Sequence, residues 1–298
     1  MRIIGLMPVR NEEHEIGLTL RAAVMWCDYV IVLLHACTDG TRDIVEQVHR
    51  ETGRVLMLFD STEEWREMPM RQRMLECARE NRATYIALID ADEILTGNML
   101  SFDGSGNINE IGICNLVQST PHGSILQLPG YNIRNGIHQY HANGIWGNLW
   151  FSVAFPDVPS LGWSGDRFHA REPGPLRLTP FRPIAQGQGG VMHLWGADER
   201  RLVAKHRLYR VIERIRWPNK SVKEIERMYS WATNGTGPGD TPAEWKYLET
   251  PESWWHPYEH LMGHLHIDAE PWQEAALLKL VAEHGREKFA GLNLFGVA

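Results

Sequence analysis

The chain has 298 residues, 43% of them hydrophobic, and 30 basic against 37 acidic side chains leave a net charge of −7. That composition supports a sizeable globular core and disfavours a general nucleic-acid coat, and no run of about 18 apolar residues is present to cross a bilayer. The start, MRIIGLMPVRNEE, reaches charge too early for a secretory leader, and Cys27, Cys37, Cys77 and Cys114 show no disulfide rhythm, so the cytoplasm is the expected location.

Residues 2–9 (RIIGLMPV) read as a strand, followed over 12–27 by a helix whose Ile16, Leu20, Ala23 and Val24 share one face. Residues 28–36 (DYVIVLLHA) form a second strand, continuous enough in apolar character to be buried on both faces. Thr38 or Asp39 is placed to cap a helix over 41–53, which Gly53 closes. A strand over 54–60, a helix over 67–82 and a strand over 84–90 complete an open, largely parallel α/β sheet. Residues 101–190 loosen into Gly, Pro, Asn and Trp, with GSILQLPG and NLWFSVAF as antiparallel strand candidates. Helical periodicity then returns over 198–217, 221–231 and 272–285, with TNGTGPGDTP as a surface loop. The expected division is a mostly parallel α/β domain with antiparallel additions over residues 1–198 and a helical extension packing on it over 199–298.

The strand at 84–90 runs into three carboxylates, Asp90, Asp92 and Glu93, in YIALIDADEILTG. In an open α/β sheet, ligands sit outside the carboxyl ends of the strands. Residues two apart in extended backbone share a side, and two carboxylates that close raise each other's pKa unless a cation lies between them. Asp-x-Asp offers hard oxygen ligands suited to Mn2+ or Mg2+ shared with substrate phosphates. The bland alternative is that Asp90 caps the next turn while Asp92 and Glu93 lie in a solvated loop. The first loop, MPVRNEE, has no glycine-rich phosphate cradle, which disfavours a dinucleotide or P-loop site.

These motifs, in this order, resemble the family 2 glycosyltransferases of the GT-A fold, with the match running over roughly residues 2–209. The resemblance implies that the P-x-x-N-E element, with Pro8, Arg10, Asn11 and Glu12, holds the nucleotide, and that Asp90 and Asp92 hold the metal. Thr38, Asp39, Gly40 and Thr41 of LHACTDGT match the element after strand two, which gives Asp39 a nucleotide-site role. The family's earlier aspartate, which reads uracil, is replaced near Leu34 and His35. Arg71 in MRQRMLECA matches a basic residue that faces the diphosphate, with Gln72 standing for Asn. GGVMHLWGADERRLVAKHRLYR resembles a late H-x-G element, which makes His193 a third metal ligand and Lys205 a neutraliser of the leaving diphosphate.

Inverting enzymes of this kind use a carboxylate to deprotonate the acceptor hydroxyl. The loop GWSGDRFHAREPG offers Asp166, His169 and Glu172, with Asp166 preferred. Trp146, Trp150 and Trp163 are the right type to stack on a sugar or base, and equally to pack. His256, His260 and His264 recur at four-residue spacing, a zinc pattern without an HExxH or Cys partner. The expected function is metal-dependent transfer of a hexose or N-acetylhexosamine from a nucleotide-diphosphate sugar, UDP-linked, to a hydroxyl of a saccharide, a small molecule or a modified nucleic acid, with no membrane span. The rivals are a sugar-phosphate nucleotidyltransferase, which normally begins with a glycine-rich loop, and a degenerate nucleotide-sugar binding module.

Overall fold

Apolar segments separated by amphipathic ones leave a chain few ways to bury both faces of a sheet, and this chain takes the expected one. A computed structural model describes residues 1–100, 112–165, 167, 169, 171–175, 177–234, 245–267 and 270–295. The first part alternates β1 (Ile3–Val9), α1 (Ile16–Ala23), β2 (Tyr29–His35), α2 (Thr41–Thr52), β3 (Val55–Asp60), α3 (Glu67–Glu80) and β4 (Tyr85–Leu88). Then follow β5 (Glu93–Leu95), α4 (Ile113–Gln118), β6 (Ser124–Arg134), β7 (Gln139–His141), β8 (Leu149–Pro156), β9 (Thr179–Phe181) and β10 (Val191–Gly196). The remainder comprises α5 (Glu199–Arg216), α6 (Val222–Asn234), β11 (Tyr247–Glu249), α7 (Glu252–Trp255) and α8 (Trp272–His284).

Two compact units divide the chain. The first holds Met1–Tyr131, Asn148–His193 and Thr250–His266. Its strands run in the order β6-β8-β4-β1-β2-β3, parallel from β4 to β3 and antiparallel where β8 meets β4 and β6. This is the expected fold class. α3 covers one face, setting Met68, Met74, Leu75 and Ala78 against Ile4, Leu6, Ile31, Leu33, Ile86 and Leu88. At about 25 cal/mol per Å2 of apolar surface removed from water, such fully buried aliphatic faces supply the main stabilising term. α2 ends at Gly53 with φ 65, the left-handed cap that glycine adopts without steric cost.

The segment HPYEHLMGH also belongs to the first unit. Residues His256–His264 form a 3-10 helix rather than an α-helix, with Tyr258 and Leu261 turned inward. At three residues per turn, positions four apart no longer share a face, so the imidazole comb read from the sequence does not form. His256 instead lies 3.2 Å from Glu259 and is exposed.

The second unit holds Asn132–Gly147, Leu194–Glu249 and Ile267–Ala298. Asp198 caps α5 by accepting the backbone N–H groups of Arg200 and Arg201, and Arg214 and Arg216 occupy its last turn, where they complement the helix dipole. Leu208 and Val211 of α5 pack on Leu277 and Val281 of α8. β11 pairs with β7, and the His141 ring is enclosed by Trp245 and Tyr247 at centroid distances of 5.0 and 4.9 Å.

Burial, reinforced by the charge of Arg134, pushes the His141 pKa down from 6.5 to about 4. The unfolded chain therefore binds a proton in the window from 6.5 to about 4 that the folded chain refuses, and stability falls as the pH drops through it. The expected loss is on the order of 1–2 kcal/mol after allowance for solvent screening. Urea titrations at pH 7 and pH 4.5 measure it, and His141→Phe should remove that share of the difference.

Candidate functional site

The loops after β1 and β2 are bound to each other through the motif residues. Asn11, in the left-handed region at φ 53, accepts the Thr38 N–H at 2.8 Å through Oδ1 and donates to Thr38 Oγ1 at 3.3 Å. Thr41 Oγ1 accepts the Glu12 N–H at 2.7 Å, and Glu13 Oε2 accepts the Gly40 N–H at 2.6 Å. Asp39 accepts the Glu13 and Thr41 N–H groups at 3.3 and 3.1 Å, so it braces the loops and takes the first N–H of α2. Pro8 is buried in β1, while Arg10 donates to the Glu63 carbonyl at 2.8 Å. His35 is fully buried, with Nε2 3.2 Å from the Glu64 carbonyl and its ring edge-on to Trp65. Beside them, ligand-type atoms of Glu12, His14 and Glu15 lie within 4.8 Å of one another.

At the end of β4 the chain turns sooner than the sequence pattern suggests. β4 stops at Leu88, and the Glu93 N–H bonds to the Asp90 carbonyl at 3.1 Å, closing a turn over 90–93. That turn separates the three acids into two groups. Asp92 faces His193, with Oδ2 and Nε2 3.3 Å apart, because β10 pairs antiparallel with β5 and sets His193 opposite Glu93. Asp90 and Glu93 converge instead on Arg171.

The guanidinium of Arg171 uses every N–H it has. Nε donates to the Ser152 carbonyl at 2.8 Å, Nη1 to Asp90 Oδ2 at 2.9 Å and Glu93 Oε1 at 2.6 Å, and Nη2 to Glu93 Oε2 and the Leu88 carbonyl, both at 2.7 Å. Arg71 adds a second cation. It donates to Glu67 through Nε and to Asp90 Oδ1 through Nη2, each at 2.9 Å, while its buried Nη1 meets no acceptor among the described residues. Burial alone would raise the Asp90 pKa, but the two guanidinia outweigh it and hold the carboxyl below its usual range. Burial dominates at Glu93, which is pushed up despite Arg171. Both arginines lose solvation, yet their carboxylate partners more than offset it and raise their pKa.

Asp92 and His193 fit a divalent ion. Two ligands at right angles and about 2.1 Å from an octahedral ion lie about 3.0 Å apart, close to the separation present here. A carboxylate oxygen with one neutral imidazole suits manganese, and Asp90 retains lone pairs for water-mediated contact.

His193 depends on the glycines before it. A Cβ on Gly190, at φ 156, would sit 2.0 Å from the Pro129 carbonyl oxygen, and Gly190 also exchanges hydrogen bonds with Thr96. Gly190→Ala should therefore displace β10 and cost about 3 kcal/mol, measurable by chemical denaturation together with weakened manganese binding.

The remaining candidates are more dispersed. His169 is exposed, with φ 59, and Asp166 lies outside the described residues. Lys205 is half-buried on α5 in the second unit. Gln72 accepts the Trp163 N–H at 2.8 Å, and Trp163, 4% exposed, packs near Phe155 as core. Trp146 packs against Trp195 in the second unit, and Trp150 lies under the Arg182 guanidinium at 4.5 Å.

No protein-family profile matches the chain, and no curated protein matches it. Among solved structures, TarS of S. aureus is 10% identical, covering 97% of this chain and 54% of its own, with a TM-score of 0.42. The mannosyltransferase PcManGT from Pyrobaculum calidifontis, in complex with GDP-Man and Mn2+, is 15% identical over 95% of this chain and 76% of its own, with a TM-score of 0.35. Glucosyl-3-phosphoglycerate synthase from Mycobacterium tuberculosis, in complex with Mn2+, UDP and phosphoglyceric acid, is 17% identical over 44% of this chain and 43% of its own, with a TM-score of 0.30. The chain thus spans about half the length of TarS and less than half that of the synthase. The parallel strands β4-β1-β2-β3 are the open, largely parallel sheet expected from the sequence. The fold is a mixed α/β one, a largely parallel sheet with antiparallel additions.

Within this unit, Arg171 is the residue the sequence reading missed. A signal for it existed. Three carboxylates at one strand end need compensating charge, and HAREPG supplies a guanidinium as well as the acids and imidazole that drew attention.

Proposed function

We propose that the chain is a metal-dependent glycosyltransferase that moves a hexose or N-acetylhexosamine from a UDP-linked donor to a hydroxyl acceptor. The observation that carries this reading is the division of labour at the end of β4. Asp92 and His193 stand at the spacing of adjacent metal ligands, while Arg71 and Arg171 neutralise Asp90 and Glu93 beside them. Manganese or magnesium bound there would neutralise charge building on the departing diphosphate. Arg71 Nη1 would donate to a phosphate oxygen, and Pro8, Arg10, Asn11, Glu12 and Asp39 would border the nucleotide. The chemistry would be carried within residues 1–198, in the segments Met1–Tyr131 and Asn148–His193 of the first unit, with 199–298 as a helical extension from which Thr250–His266 belongs to that first unit.

The acceptor is a saccharide, a small molecule or a modified nucleic acid, and the setting is cytoplasmic. No helix among the described residues is long and apolar enough to cross a membrane. The test is to incubate the protein with manganese and a panel of UDP-, GDP- and TDP-sugars while following binding and slow donor hydrolysis. Metal-dependent UDP release that disappears in Asp92→Ala is expected. Absence of binding to every nucleotide sugar would sink the reading.

A further inference from the structure

The first loop carries three ligand-type side chains that the fold turns toward one another. Glu12, His14 and Glu15 lie between β1 and α1, and one ligand atom from each falls within 4.8 Å of the other two. His14 Nε2 is 3.0 Å from Glu15 Oε1 and 3.6 Å from Glu12 Oε2. The group is sheltered, with the His14 and Glu15 side chains each 6% exposed and that of Glu12 14%. Glu15 stands at the N-cap of α1 but does not cap it through its side chain, and its carboxylate meets the imidazole instead. A protonated His14 would offset one of the two sheltered carboxylates. A dication beside a neutral His14 would offset both.

The backbone around the group is fixed from several sides. The Glu12 N–H donates to Thr41 Oγ1 at 2.7 Å, and the Glu12 carbonyl accepts the N–H groups of Glu15 and Ile16 at 3.1 and 2.8 Å, which opens α1. The His14 carbonyl accepts the His266 N–H at 2.7 Å, from the segment Thr250–His266 of the same unit. A Cβ on Gly17 would meet His264 at 3.0 Å, so that segment lies against the start of α1. Ligands about 2.0–2.1 Å from a tetrahedral zinc ion lie about 3.3 Å apart. The separations of 3.0 and 3.6 Å around His14 Nε2 bracket that value, and Glu12, the most exposed of the three, has the most room to adjust.

We propose that Glu12, His14 and Glu15 form a second metal site, made of different residues from Asp92 and His193, that takes zinc. One imidazole nitrogen with two carboxylate oxygens suits a four-coordinate ion that keeps water in its remaining position. The ion would act structurally. It ties the loop after β1 to the first turn of α1 and, through the His14 carbonyl, to the segment Thr250–His266. Asn11, which bonds the loop after β2 through Thr38, is steadied by the same clamp. Ligation engages the Glu12 carboxylate and leaves its backbone on Thr41, at the border proposed for the nucleotide. The site depends only on the loop's own side chains and stands whether or not the chain transfers a sugar.

The test titrates Co2+, a spectroscopic stand-in for zinc, into the full chain carrying Asp92→Ala and His193→Ala, which removes the first proposed site. About one equivalent should give the visible absorption bands of four-coordinate cobalt, and the same amount of Zn2+ should erase them. In that background Glu12→Gln, the mildest change because its side chain is the most exposed, should weaken cobalt binding by about 30-fold or more, and His14→Gln by about 100-fold or more. Zinc at about 100 times its dissociation constant should raise the melting temperature of the double variant by about 5 °C, reversibly with EDTA, and should not do so once Glu12→Gln is added. Absence of the cobalt bands, cobalt affinity within about threefold after Glu12→Gln, or a melting temperature indifferent to zinc would overturn the site and leave an imidazolium–carboxylate ion pair in its place.

Discussion

Arg171→Met is expected to lower the melting temperature by roughly 10 °C at pH 7, from the loss of about 3–5 kcal/mol. The substitution leaves two carboxylates facing each other in a turn where Glu93 is only 4% exposed. Arg71 would still hold Asp90, but Glu93 would lose both of its guanidinium contacts. Desolvation already raises the Glu93 pKa in the intact protein, and removal of Arg171 would raise it further. A carboxyl whose folded pKa exceeds its unfolded value destabilises the fold above that pKa and ceases to do so once protonated. The gap between variant and native protein should therefore narrow as the pH falls from about 7 to about 5. Thermal melts at the two pH values measure this, and a gap that stays constant or widens would show that Arg171 does not compensate these acids.

The second large effect is expected at the proposed metal ligands. Asp92→Ala and His193→Ala should each weaken manganese binding by about 100-fold or more, read by electron paramagnetic resonance of the free ion. The hydrogen bonds of Arg71 and Arg171 go to Glu67, Asp90, Glu93, Leu88 and Ser152, so stability should change much less than in Arg171→Met. Asp90→Asn should behave in the opposite way. It removes the charge that both guanidinia meet at 2.9 Å, so its main expected consequence is lost stability, with a smaller effect on manganese. Equal losses of manganese affinity in Asp90→Asn and Asp92→Ala would contradict this separation of roles.

The parallel half of the sheet was legible because its signals are local. Residues 30–34 (VIVLL) are apolar throughout, as a strand buried on both faces must be, and the helices between strands repeat their apolar positions at helical spacing. The acidic turn was only half legible. The cluster was evident, but the expectation that Asp90 and Asp92 share one side assumed that the strand continues, whereas it ends at Leu88 and the turn pairs Asp90 with Glu93. Arg171 reaches those acids across 78 and 81 residues of chain, from a loop with no periodicity to reveal its direction. His256, His260 and His264 were misleading for a related reason. Residue spacing fixes a shared face only once the helix type is known, and this segment is a 3-10 helix. His35, in the region of Leu34 and His35 where the resemblance expects a base-reading aspartate, is a fully buried imidazole 3.2 Å from the Glu64 carbonyl, a partner that only the fold reveals.

The central claim is that the turn after β4 holds a divalent ion that in turn holds a nucleoside diphosphate. Calorimetric titration of UDP into the protein, first with manganese and then with excess EDTA, tests it most directly. The account predicts binding with manganese that weakens at least about tenfold in EDTA and is lost in Asp92→Ala. Equal affinity with and without the metal, or an Asp92→Ala protein that binds UDP as the native chain does, would contradict it.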